Sequence, residues 1–192
     1  MKRRNFLLLI PGLPLSTALA APAGAPSLPE EDVETVYDNG IYRGSFRFAI
    51  PVAPRVAWAV LTDFDHMAEF VPNVESSHIA SRDGRIIHVV QRGRLEFGPF
   101  TFRFESERRI EMRPEEGVIL ARAVAGTTRH MQSEMHVSAD GNGTVLDYQV
   151  EMIPDRWIPS SVGVSFMRHE LAEQFSAIAR EMVRRQQGQR PR

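Results

Sequence analysis

Six stretches of alternating apolar and polar residues run in succession through the middle of the chain, and a single amphipathic helical stripe follows them. The strand pattern covers 74–81, 85–97, 100–111, 117–125, 128–139 and 144–153. Asp83-Gly84, Gly98-Pro99, Pro114-Glu115-Glu116-Gly117 and Asp140-Gly141-Asn142-Gly143 separate several of these segments, and connections this short imply antiparallel neighbours in a meander. After Pro154 and Pro159 the alternation stops, and Val164, Met167, Leu171, Phe175, Ile178 and Met182 recur on one helical face. A sheet with one apolar face has to cover it, and this helix is the only long element the sequence offers. The chain is therefore expected to form an α+β domain, a curved antiparallel sheet wrapped around a long C-terminal helix.

Upstream, Val33, Thr35 and Tyr37 alternate up to Asp38-Asn39-Gly40, a tight-turn signal, and Tyr42, Phe46, Phe48 and Ile50 alternate after it. This reads as a hairpin with a long second arm. Pro54 stands where a first helical residue tolerates proline, and Val56, Ala57, Val60, Leu61 and Phe64 follow at helical spacing. A second short helical turn over 66–70 ends before Val71-Pro72, so a short helix pair is expected after the first long strand.

The extreme N-terminus carries Lys2, Arg3 and Arg4, then an apolar run from Phe6 to Leu19 broken by Pro11, Gly12 and Pro14, then Ala18-Leu19-Ala20. That is the layout of a cleaved export signal over 1–20, and it is shorter than the ~20 apolar residues a membrane-crossing helix needs. Arg3-Arg4-Asn5-Phe6-Leu7 resembles the twin-arginine export motif, with Leu8 where that motif has lysine; an ordinary Sec leader is the alternative. A periplasmic or secreted bacterial protein is the expectation. Residues 21–32, rich in Ala, Pro and Gly, are expected to be a disordered lead-in, 33–186 the domain and 187–192 a polar tail.

Cleavage after Ala20 removes three of the 23 basic residues and none of the 24 acidic ones, leaving a net charge of −4. No nucleic-acid partner is expected, because phosphate backbones call for a positive surface. With no cysteine in the chain, disulfides, thiolate metal sites and cysteine nucleophiles are excluded.

The segment Pro54-Arg55-Val56-Ala57-Trp58-Ala59-Val60-Leu61-Thr62-Asp63-Phe64-Asp65-His66, followed by Glu69-Phe70-Val71-Pro72, carries a family resemblance. It is similar to the Pro-x-x-Val-Trp-x-x-Leu-x-Asp and Phe-x-Pro patterns of the START-like (SRPBCC) superfamily, in particular its polyketide cyclase/dehydrase and coenzyme Q-binding group. Here Ala57 separates Val56 from Trp58. Gly143-Thr144-Val145-Leu146-Asp147-Tyr148 resembles that group's late Gly-Thr-x-Leu-x-Tyr pattern. The resemblance implies a helix-grip fold with a cavity between sheet and helix, used in the superfamily for lipids, quinones, sterols and polyketides. It supplies no catalytic residue, since the group has no single shared catalytic motif.

The residues expected to line such a cavity are Phe46, Phe48, Phe64, Phe70, Phe100, Phe102, Phe104, Met131, Met135, Tyr148, Phe166, Met167 and Leu171. His88 lies between Ile87 and Val89, so periodicity leaves its facing open; with Glu105 it is the candidate polar contact to a ligand. His130, Glu134 and His136 share one strand face with metal-binding side-chain types. Met131, Met135 and Val137 are the better core candidates, which sends the histidines to solvent, and no metal site is expected. No nucleotide, phosphate-loop or hydrolase fingerprint is present, so no cofactor is expected. The leading expectation is binding or carriage of a hydrophobic small molecule, with transient membrane contact left open and no protein partner named. The alternative is an aromatase/cyclase-like enzyme acting on a polyketide or related carbonyl compound, for which His88 and Glu105 are the nominated acid/base groups.

Overall fold

The computed structural model describes residues 24–97, 100–155 and 158–189, with only the backbone of Phe97 and Phe100. The export signal expected over 1–20 lies outside the described residues. Eight antiparallel strands, β1 (Glu34–Asp38), β2 (Ile41–Ile50), β3 (Val74–Asp83), β4 (Ile86–Phe97), β5 (Phe100–Arg113), β6 (Val118–Gly126), β7 (Thr128–Asp140) and β8 (Gly143–Pro154), form one sheet in the order β1-β2-β8-β7-β6-β5-β4-β3. Helices α1 (Pro54–Leu61) and α2 (Met67–Phe70) connect β2 to the far edge, and α3 (Ser160–Gly188) lies against the inner face. This is the helix-grip architecture the strand and helix periods predict.

Local chemistry explains the joints. Asn39 and Gly40 both take positive φ, 50° and 89°, the geometry of the two-residue turn that matches strand twist. Register shifts between Val74 and Ser76, Ile79 and Ser81, Glu107 and Arg108, and Thr128 and His130 increase twist and bend the sheet around the helix. The helix approaches β2 where side chains are missing: a Cβ on Gly44 would sit 2.7 Å from Leu171 Cδ1, and one on Gly163 2.3 Å from the Tyr42 ring.

The grip is sealed at one end. Ile50, Val52, Val56, Val60, Ile87, Val89, Ile110, Leu146, Ala179 and Met182 are at most 2% exposed, so α1, the C-terminal half of α3 and the adjoining strand ends form a closed core. Polar ties hold this end together: Ala53 N donates to Gln186 Oε1 at 2.7 Å, Thr144 Oγ1 to Val52 O at 2.7 Å, and Arg185 Nη1 meets Asp63 Oδ2 at 2.7 Å.

The lead-in departs from its expected disorder. From residue 24 onward it is placed, with a 3-10 turn at Glu30–Asp32. Leu28 is 3% exposed, its amide donates to Ser176 Oγ at 2.8 Å, and Glu30 Oε1 meets His169 Nδ1 at 2.8 Å. One buried leucine and two polar anchors on α3 suffice to hold a segment whose composition alone reads as linker. Residues 21–23 lie outside the described residues, as do 190–192 of the tail.

Candidate ligand site

Strand parity decides what faces the helix. On β5 the inner residues are Phe102, Phe104, Ser106, Arg108 and Ile110; pairing sets Leu95, Gly93, Gln91, Val89 and Ile87 of β4 beside them. On β7 and β8 the inner pairs are Met131 with Met152, Ser133 with Val150, Met135 with Tyr148 and Val137 with Leu146.

The expected lining residues fall into separate groups. Phe46, Phe48, Phe64, Met135, Met167 and Leu171 are buried in packed core; Phe46 lies 4.5 Å from Phe175 and 5.4 Å from Tyr148 between ring centroids. Phe70 is half-buried and packs against the margin of that core, with the Arg185 guanidinium 5.5 Å above its ring. Phe104, Met131, Tyr148 and Phe166 keep part of their surface accessible. Phe102 is 46% exposed, 6.2 Å from Phe166, and the Phe100 side chain lies outside the described residues. Thus the inner faces of β5 to β8 opposite the N-terminal half of α3 remain partly accessible, while the other end is closed.

The polar candidates His88 and Glu105 do not face the helix. Ile87 and Val89 are fully buried on the inner side, which turns His88 outward, where Nδ1 lies 3.6 Å from Glu107 Oε1. Glu105, between the inward Phe104 and Ser106, pairs outside with Arg92 Nε at 3.0 Å. His130, Glu134 and His136 face outward as their register predicts, His130 paired with Glu151 at 3.0 Å and His136 with Glu134 at 2.5 Å. Among the described residues no group of three or more His, Cys, Asp or Glu could hold a metal ion. A depression of about 320 Å³ is bordered by Arg109, Glu111, Leu120, Arg122, Gln132 and Glu134 of the outer face, with Ala121 and Ser133 between them; its border is largely polar and charged.

The charged residue among these inner β5 positions is Arg108, which the sequence patterns did not nominate. A signal for it exists: Arg108 shares strand parity with Phe102, Phe104 and Ile110. Its Nη2 donates to Gln91 Oε1. Gln91 Nε2 donates in turn to Ser77 Oγ at 3.0 Å, and Ser77 Oγ to Phe64 O at 2.5 Å. Burial pulls the guanidinium below the usual arginine range, although an arginine stays charged. Burial likewise pushes the Tyr148 phenol up, against a hydrogen bond with Ser133 and the charge of Arg108.

A second buried polar group lies on the flank of α3. Burial raises the Glu170 carboxyl to about 7, opposed by a hydrogen bond from Asn73. Asn73 Nδ2 reaches Glu170 Oε2 at 3.3 Å, and Glu170 Oε1 is buried without a partner.

A curved sheet gripping one helix, closed at one end and partly accessible at the other, defines a helix-grip protein of the START type. The chain belongs to the polyketide cyclase / dehydrase and lipid transport family, whose model matches residues 50–179. A STAR-related lipid transfer protein from Xanthomonas axonopodis is similar in structure, with a TM-score of 0.63 at 13% identity over 79% of this chain and 99% of that one. The Zhui aromatase/cyclase from Streptomyces sp. R1128 matches with a TM-score of 0.59 at 15% identity over 78% and 96%. A START superfamily protein from Mycobacterium smegmatis matches with 0.60 at 13% over 76% and 97%. No curated protein matches the chain by sequence.

Proposed function

We propose that this protein is an exported binder or carrier of a hydrophobic small molecule, held between the N-terminal half of α3 and the inner faces of β5 to β8. One observation carries the reading: Phe104, Met131, Tyr148, Val150, Met152 and Phe166 keep accessible surface there, while the opposite end is packed shut. Covering that surface with an apolar ligand stabilises the complex by ~25 cal/mol per Å². The similar lipid transfer protein from Xanthomonas axonopodis supports the class of ligand, and the leader supports a periplasmic or secreted location. Among the described residues no helix is long and apolar enough to cross a membrane; the exposed Phe102 and Val162 provide apolar surface for transient membrane contact during loading.

The direct test is native mass spectrometry of protein purified from its own periplasm, followed by organic extraction. A co-purifying apolar molecule is expected. Protein that carries none, and that binds no environment-sensitive apolar dye, would overturn the reading.

The aromatase/cyclase-like alternative loses the acid/base groups nominated for it, since His88 and Glu105 face away from the helix. Glu170, held near 7 by burial, is the single observation in its favour, because general acid–base catalysis works best with a group poised near ambient pH.

A further inference from the structure

Among the described residues Arg108 is a partly buried cation, its Nε enclosed, without an ion-pair partner. Its Nε has no hydrogen-bond partner, and its Nη2 is bound by the neutral amide of Gln91. Among the described residues no carboxylate lies within ion-pair distance of it, although the chain forms such pairs freely elsewhere, as at Arg92 with Glu105 and Arg185 with Asp63. An isolated charge in a low-dielectric interior is strongly unfavourable unless something pairs with it.

Two further features show that the guanidinium is positioned rather than stranded. The Gln91, Ser77 and Phe64 relay fixes it from behind. In front, its register partner on β6 is Ala123, and the next inner pair is Ala121 with Ser133, so the side chains flanking the cation on that side are small. Although burial depresses its pKa, Arg108 retains part of its accessible surface, and its strand parity places it on the face of β5 that carries Phe104 and Ile110.

We propose that the ligand is an amphiphile with a single carboxylate head, inserted head first so that the carboxylate becomes the countercharge of Arg108 and its tail lies along the apolar surface toward Phe104 and Phe166. The Nε–H donates to the carboxylate, and the neutral Tyr148 hydroxyl stands beside it as a second polar group. A carboxylate fits because it is planar and matches the guanidinium edge. This assignment rests on the binding reading above.

The test compares probes with one tail and different heads, dodecanoate, dodecanol, dodecylamine and dodecyl phosphate, each below its micellar concentration, by displacement of an uncharged apolar dye at pH 8. Dodecanoate is expected to bind at least ~10-fold more tightly than dodecanol, with dodecylamine the weakest, in line with the value of a charge-assisted hydrogen bond. Arg108→Leu should erase the preference while retaining dodecanol binding. Arg108→Lys, which keeps the charge but lacks the Nε–H, should weaken dodecanoate alone and reports on the site if the leucine variant does not fold. Equal binding of dodecanoate and dodecanol by the parent protein would overturn this assignment and leave the carrier reading standing. A preference that survives in both Arg108 variants, or tighter binding of dodecyl phosphate than of dodecanoate, would overturn it equally. Binding of no probe at all would overturn both readings together.

Discussion

Gln91 accepts a hydrogen bond from Arg108 Nη2 at its amide oxygen and donates to Ser77 Oγ from its amide nitrogen. It is 7% exposed, so water does not replace these bonds from the Gln91 side. Gln91→Leu is similar in volume and removes both bonds together with the 3.4 Å bond from Nε2 to Met67 Sδ, leaving the charged Nη2 donor without this partner; a loss of about 2–3 kcal/mol is expected. Ser77→Ala, which breaks the relay one step farther from the charge, should cost about 1–2 kcal/mol. Urea denaturation reads both, and a loss at Ser77 larger than at Gln91 would contradict the relay.

Glu170 makes stability depend on pH in a direction opposite to that of the salt-bridged carboxylates. Its folded-state pKa, about 7 against an ordinary value of 4.5, means that the folded chain holds a proton that the unfolded chain has released. Stability from this group is complete below about pH 4.5, falls as pH rises through the interval to 7, and is level above it. The whole effect is at most ~3 kcal/mol. Glu170→Gln should flatten the decline between pH 5 and 7, roughly the interval set by those two values. Asp63 behaves in the opposite sense: burial pushes its carboxyl up, but His66 and Arg185 together bring it below the ordinary value, so its contribution is present near neutrality and fades only as pH drops through the acid range. Parallel pH profiles for parent and Gln variant would remove Glu170 as the cause.

Leu28 provides a check on the segment ahead of β1. With 3% of its surface exposed and its amide bound to Ser176 Oγ, Leu28→Ala should destabilise the protein by about 2–3 kcal/mol. A disordered lead-in would show no change in a thermal melt.

Most of the architecture was legible because its signals are local. Asn39-Gly40 specifies a hairpin turn, and the stripe from Val164 to Met182 specifies one helix face. What closes the sheet is not local: β2 pairs with β8, Phe46 opposite Tyr148, and no short-range pattern encodes a meeting between segments so far apart in the chain. His88 was ambiguous because β4 is apolar on both faces near it, at Ile86, Ile87, Val89 and Val90; Arg92 and Arg94, which share its parity, carried the deciding information. Arg108 was legible by the same parity rule from its aromatic neighbours, but a charged residue on an inner face runs against the ordinary expectation. The accessible end of the interior depends on how far α3 stands off the sheet, which side-chain sizes at Gly44, Gly163, Ala121 and Ala123 set jointly.

The proposed export, which rests on the signal-like layout of residues 1–20, predicts a processed protein. The periplasmic form should begin at Ala21, as read by intact mass, and substitution of Arg3 and Arg4 by Lys should retain the precursor if the twin-arginine route carries it. Unchanged export of that variant would assign the Sec route instead, and a full-length cytoplasmic chain in both would remove the export reading.

Met167 and Phe102 border the proposed site from different surroundings, and this separates packing from ligand contact. Met167 is 5% exposed with its sulfur directed at the bare backbone of Gly44; Met167→Ala leaves a void that the helix cannot collapse into, costing about 2–4 kcal/mol. Phe102 is 46% exposed at the accessible end, so Phe102→Ala should cost less than about 1 kcal/mol. Binding of an environment-sensitive apolar dye should change in both variants: Met167→Ala enlarges the interior and favours a bulkier dye, whereas Phe102→Ala removes apolar surface from the entrance and weakens binding without changing size preference. Stability and dye affinity measured on the same samples decide the matter. If Met167→Ala destabilises as expected but neither variant alters dye binding, the dye is bound elsewhere and the space beneath α3 is not the site.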